Sequence, residues 1–141
     1  PSNDNVDFKF NASVDSGSNY NVTKTSTIFD SGHDEAEAFS AALDYDTGAD
    51  LAQSTSGKRI ARGVSSDSDH GVCGELWIFN PSSTTFAKHW WSIVTANDRN
   101  NFAYHTFGQG YLNTTSAVNG VIFSFDSGTL QTGNIRVYGL K

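Results

Sequence analysis

Two short runs hold the residues best suited to contact chemistry: His89, Trp90 and Trp91 in one, Tyr104 and His105 in the other. Aromatic faces stack on sugar C–H surfaces and anchor protein interfaces, where Trp and Tyr are the usual hot spots. Successive side chains of a strand point to opposite faces, so Trp90 and Trp91 cannot both enter one core. At least one of them faces outward or sits at an interface. These five residues are the candidate ligand or interface site, although for any one ring taken alone a place in the core is the favoured reading.

A metal reading comes from Asp44-Tyr-Asp-Thr-Gly-Ala-Asp50, whose carboxylates could gather oxygens around Ca²⁺. An EF-hand loop, however, wants Gly at its sixth place and Glu at its twelfth, whereas here Gly48 comes fifth and Thr55 stands twelfth. Asp67, Asp69 and His70 form a second acidic spot with no better spacing. Both read as solvated loops, and no metal or cofactor is assigned.

Catalytic patterns are missing. The chain has no G-x-S-x-G elbow, no H-E-x-x-H helix, no phosphate-cradling G-x-x-x-x-G-K and no dinucleotide turn between a strand and a helix. Glu35 and Glu37 lack the placement that acid–base glycoside hydrolysis demands. The single cysteine, Cys73, excludes an internal disulfide and reads as a small buried thiol at the start of a strand. Asn11-Ala-Ser, Asn21-Val-Thr and Asn113-Thr-Thr match the glycosylation pattern, as a chain rich in Asn, Ser and Thr does by chance. The expectation is a non-enzymatic protein.

A net charge of −6 argues against a nucleic-acid partner, which needs clustered Lys and Arg. No apolar run approaches the length that crosses a bilayer, and no basic-then-apolar leader is present within these residues, so membrane insertion is not expected. The absence of any Met suggests that processing or truncation has removed the true beginning.

These residues need a scaffold, and composition selects it. With 37% hydrophobic and 13% aromatic content, 141 residues can bury one core, and abundant Ser, Thr, Asn and Gly suit strands and polar loops. Val6, Phe8 and Phe10 alternate with Asp7 and Lys9 as a first strand; Asp15 to Asn19 turns it into a hairpin with Tyr20, Val22, Ile28 and Phe29. Ala36 to Leu43 suits one short helix, although Phe39 to Tyr45 also suits a strand. Ser54 to Asp69 reads as a long surface excursion around Ile60 and Ala61.

Gly74 to Phe79 and Phe86 to Thr95 flank the turn Asn80-Pro-Ser-Ser-Thr-Thr85 as a second hairpin, with Leu76 and Ile78 facing one way and Glu75, Trp77 and Phe79 the other. Phe102 to Phe107 is a further strand. Val121, Phe123 and Phe125, then Ile135, Val137 and Gly139, alternate across Asp126-Ser-Gly-Thr-Leu-Gln-Thr-Gly133 as a closing hairpin. Seven or eight strands result, which suits an all-β, antiparallel two-sheet β-sandwich of jelly-roll type. One domain spans 1–141, with Phe8, Phe10, Leu76, Ile78, Phe123, Phe125, Ile135 and Val137 buried.

Three stretches together resemble a family: Gly74-Glu-Leu-Trp-Ile-Phe-Asn-Pro-Ser-Ser-Thr-Thr-Phe-Ala-Lys-His89, Val118-Asn-Gly-Val-Ile-Phe-Ser-Phe-Asp-Ser-Gly128 and Gly133-Asn-Ile-Arg-Val-Tyr-Gly-Leu-Lys141. They look like the small virion structural proteins of tailed phages, of the kind carried by cyanophages and other marine phages. Tyr45-Asp-Thr-Gly-Ala-Asp-Leu-Ala-Gln53 is a weaker fourth stretch. Members usually have a strand or two before the segment that starts here at Pro1, so the sheet is expected to lack an N-terminal strand.

The resemblance implies a structural protein of a bacteriophage particle, tail- or fibre-associated, which assembles with copies of itself and other virion proteins and contacts the host surface, including its glycans. Capsid decoration is the rival within that class. A secreted carbohydrate-binding module is the rival outside it.

Overall fold

The computed structural model describes residues 1–38 and 42–140, which are all-β apart from a single 3-10 turn, Thr47–Ala49. Among them are nine strands: β1 Val6–Ser13, β2 Lys24–Asp34, β3 Ala42–Tyr45, β4 Leu51–Ser54, β5 Lys58–Val64, β6 Val72–Ile78, β7 Lys88–Asn97, β8 Phe102–Leu112 and β9 Gly120–Phe125. They form an antiparallel two-sheet β-sandwich. One sheet has the order β5-β1-β9; the other runs β3-β2-β8-β7-β6, with β4 also on β2 beyond the 3-10 turn. Early and late strands pair, β1 with β9 in one sheet and β2 with β8 in the other, while β6, β7 and β8 follow one another as neighbours in the larger sheet.

The core follows period two. Along β7, Lys88, Trp90, Ser92, Val94 and Ala96 turn inward and are buried. Trp90, 2% exposed, meets Phe10 of β1 edge-on, with ring centroids 4.9 Å apart. Glycine on β8 makes room for the indole: a Cβ on Gly108 would lie 2.9 Å from Ser92 Oγ and 3.5 Å from Trp90 Cζ3. Ala12, Val22, Ile60, Ala61, Val64, Leu112 and Val118 complete the same cluster.

Three lysines are also interior. Their methylene stems pack while each ammonium finds oxygen acceptors, as buried charge requires. Lys24 Nζ donates to Asn11 Oδ1 at 2.7 Å and Ser56 O at 2.9 Å, Lys58 Nζ to Ala49 O at 2.8 Å, and Lys88 Nζ to Phe86 O at 2.9 Å. Desolvation pulls Lys24 and Lys58 down to about 8, and Arg59 adds to the effect at Lys58. Arg59 of β5 bridges Asp30 of β2 at 2.8 Å and Asp46 at 2.6 Å, which ties the two sheets together.

The structure departs from the sequence expectations in five places. β1 and β2 are not a hairpin but lie in different sheets, because the Asp15 carboxylate gathers Ser13, Asn19 and its backbone N–H into a compact corner that redirects the chain. The excursion from Ser54 to Asp69 contains β5, whose Lys58 and Arg59 are buried or half-buried by their partners and so escape an apolar pattern. Glu35–Glu37 form a turn and Ala42–Tyr45 a strand, while the intervening part of the expected helix, with Phe39 and Ala41, lies outside the described residues. Cys73 is exposed rather than buried, since its parity turns it to the outer face. Ile135 and Val137 are 53% and 90% exposed, in no ladder, so the closing hairpin does not form. Of the remaining expected core, Phe10 is buried, and Phe8, Leu76, Ile78, Phe123 and Phe125 pack half-buried against the cluster.

Candidate functional site: the outer face of the larger sheet

The residues of β2, β3, β6, β7 and β8 that do not face the core form rows across the larger sheet. Register sets Tyr45, Phe29, Phe107, Ile93 and Glu75 side by side over five strands. A second row holds Thr27, Gln109, Trp91 and Trp77, and a third Leu43, Ser31, His105, Thr95 and Cys73. His89 and Tyr111 stand opposite each other at the next rung, ring centroids 6.2 Å apart. From strand spacing and rise, the face measures about 19 Å across by about 20 Å along the strands.

Apolar rings dominate it. Trp77 and Trp91 stack 5.6 Å apart at 19°, and Phe29 and Tyr45 lie 5.3 Å apart. Leu43, Tyr45, Trp77, Phe79 and Phe107 are all exposed, and Glu75 is the carboxylate within these rows. Contiguous apolar surface of this extent marks contact sites more often than inert surface. At the β3 edge the Tyr45 hydroxyl donates to Asp50, and that hydrogen bond, with burial and the carboxylate charge, raises its pKa.

Of the residues singled out by sequence, His89, Trp91 and His105 share this face. Trp90 takes the opposite parity and belongs to the core. Tyr104 also leaves the face: half-buried, it stacks on Phe102 at 5.5 Å and lies under the Arg62 guanidinium at 4.8 Å. Missed by sequence reasoning were Phe29, Tyr45, Trp77, Phe107 and Tyr111. Trp77 was within reach, because the β6–β7 hairpin register that pairs it with Trp91 follows from the turn between them.

The face is shallow. Two hollows, of about 240 and 410 Å³, flank His105, one toward Ser31 and Ala103, the other toward Cys73 and Glu75. Thr95 stands between Cys73 and His105 in the row, which sets their backbones two strand spacings, about 10 Å, apart. Asp46 turns to Arg59 and caps Gly48 N–H, and Asp50 accepts from Tyr45, so two of the three carboxylates of Asp44–Asp50 are engaged within the protein. Asn11, 8% exposed, gives its amide to Thr55 O, which removes it from reach of a glycan. A broad aromatic plane with shallow hollows fits a flat partner, either protein surface or sugar ring.

No family model, curated protein or solved structure matches this chain.

Proposed function

We propose that this chain is a non-enzymatic structural protein of a tailed-phage particle, a tail- or fibre-associated domain that uses the outer face of its larger sheet for assembly and host-surface contact. The observation that carries the reading is the aromatic plane itself, with the Trp77–Trp91 stack at its centre. Trp77 lies inside the Gly74-Glu-Leu-Trp-Ile-Phe stretch on which the resemblance rests, so the motif and the plane coincide in β6. Truncating an aromatic anchor costs about 2 kcal/mol or more of contact energy.

Antibody raised against the folded chain should decorate intact particles at the tail. Decoration of the head would favour a capsid cement role, and particles free of the chain would overturn the virion reading. A carbohydrate-binding module is the second reading, favoured by Gln109 in the row beside the stacked indoles: sugar sites pair a flat ring with nearby polar groups. Binding of free oligosaccharide by the isolated chain, lost in Trp91→Ala, would select it.

A further inference from the structure

The segment from Leu130 to Leu140 carries exposed Leu130, Ile135, Val137, Tyr138 and Leu140, the last three at 90%, 75% and 74%. Ile135 and Val137 alternate with Arg136 and Tyr138, which is the pattern of a strand, yet the segment joins no ladder. The cause lies upstream. Instead of turning back, residues after β9 continue alongside the N-terminal residues: Asp126 N–H donates to Asp7 O at 3.1 Å, Asn3 Nδ2 to Ser127 Oγ at 3.2 Å, and Ser2 N–H to Thr129 O at 2.9 Å. Leu130 to Leu140 is thereby carried past the end of β9 rather than along its free edge.

That free edge lacks protection. Edge strands are normally blunted by charge or proline. β5 carries Lys58, Arg59 and Arg62, β6 carries Glu75, and the β3/β4 edge is broken by the 3-10 turn, but β9 reads Gly-Val-Ile-Phe-Ser-Phe with neither charge nor proline. The smaller sheet also falls short on that side. Three strands face the larger sheet, and on the side where the segment before β9 meets the turn after β6, Val118 N–H donating to Pro81 O at 2.8 Å, the apolar side chains Leu76, Ile78, Phe123 and Phe125 are only half-buried. One more strand beside β9 would cover them.

We propose that Asn134–Leu140 of one copy adds as a fourth strand to the β9 edge of a second copy, in a reciprocal exchange. Seven extended residues reach about 24 Å, enough to span the six of β9 at about 20 Å. A two-fold arrangement satisfies both arms and both edges at once. This contact is separate from the aromatic outer face and does not depend on the virion reading.

Light scattering of the full chain over a concentration series tests it. The wild type should be a dimer. Val137→Pro, which removes a ladder donor from the exposed arm, should be monomeric with the same folded-state circular dichroism. Ile122→Lys, which charges the edge, should also be monomeric, and a mixture of the two variants should form a heterodimer by native mass spectrometry, because one keeps its arm and the other its edge. A monomeric wild type overturns the proposal, as does a Val137→Pro dimer. A monomeric wild type that Val137→Pro destabilises shows the arm pairing on its own β9. A dimer abolished by Trp91→Ala but kept by Val137→Pro assigns association to the outer face instead.

Discussion

Trp77 and Trp91 are direct cross-strand partners on the outer face of the larger sheet, their rings stacked 5.6 Å apart where no core residue requires them. Cross-strand aromatic pairs add about 0.5–1.5 kcal/mol beyond burial. Trp91→Ala should therefore cost the fold about 1 kcal/mol while weakening partner contact by about 2 kcal/mol or more, roughly thirtyfold. Denaturation midpoint reads the first effect, and adsorption of particles carrying the variant tests the second under the function proposed above; equal adsorption by variant and wild type would remove Trp91 from the contact.

The neighbouring residue should behave in the opposite way. Trp90 fills the space left by Gly108 and packs on Phe10, so Trp90→Ala or Phe10→Ala should cost about 3–5 kcal/mol of stability. Urea titration of Trp90→Ala against Trp91→Ala compares adjacent positions of one strand. Similar midpoints would mean that the strand parity is wrong.

Sequence exposed the features that depend on local pattern. The β6–β7 hairpin was legible because a polar turn joins two alternating runs, and the Trp90/Trp91 split was legible because strand parity is a backbone property. What stayed hidden depends on distant partners. β1 pairs with β5 and β9, some fifty and more than a hundred residues away, and the Asp15 corner that turns the chain away from a hairpin with β2 is built from the same residue types as a hairpin turn. Lys58 and Arg59 disguised β5 because their burial relies on acceptors from Ala49, Asp30 and Asp46. The outer aromatic plane appeared only once register had aligned Tyr45, Phe29, Phe107 and Ile93, single apolar residues scattered along the chain from Phe29 to Phe107. Ile135 and Val137 show the converse, strand-like sequence without a ladder to join.

Arg59 is the point where the sheets are held by charge. Asp30 is 3% exposed and depends on Arg59 at 2.8 Å, with Arg62 farther off at 3.7 Å. Removing one partner of a buried pair strands the other, at about 3–5 kcal/mol. Arg59→Ala should approach the lower bound, because Arg62 still offsets part of the Asp30 charge, and the double variant Arg59→Ala/Asp30→Asn should recover much of the loss in a thermal melt. No recovery would show that Arg59 acts through packing alone.

The buried lysines should make stability rise through the mildly alkaline range. Lys24 and Lys58 ionise at about 8 in the folded chain, against an ordinary value of 10.5, because desolvation disfavours the ammonium. Below pH 8 both states hold the proton and the native state bears the full cost of buried charge. Between about 8 and 10.5 the unfolded chain still binds protons that the native chain has released, so stability rises with pH across that window. Tyr45 opposes this from about pH 10 upward, since its raised pKa keeps a proton on the native state after the unfolded state has lost it. The urea midpoint should climb from pH 8 to about 10 and then level. Lys24→Met and Lys58→Met should each flatten that climb, and a wild-type midpoint that stays constant or falls between pH 8 and 10 would show that the two ammonium groups are not desolvated in solution.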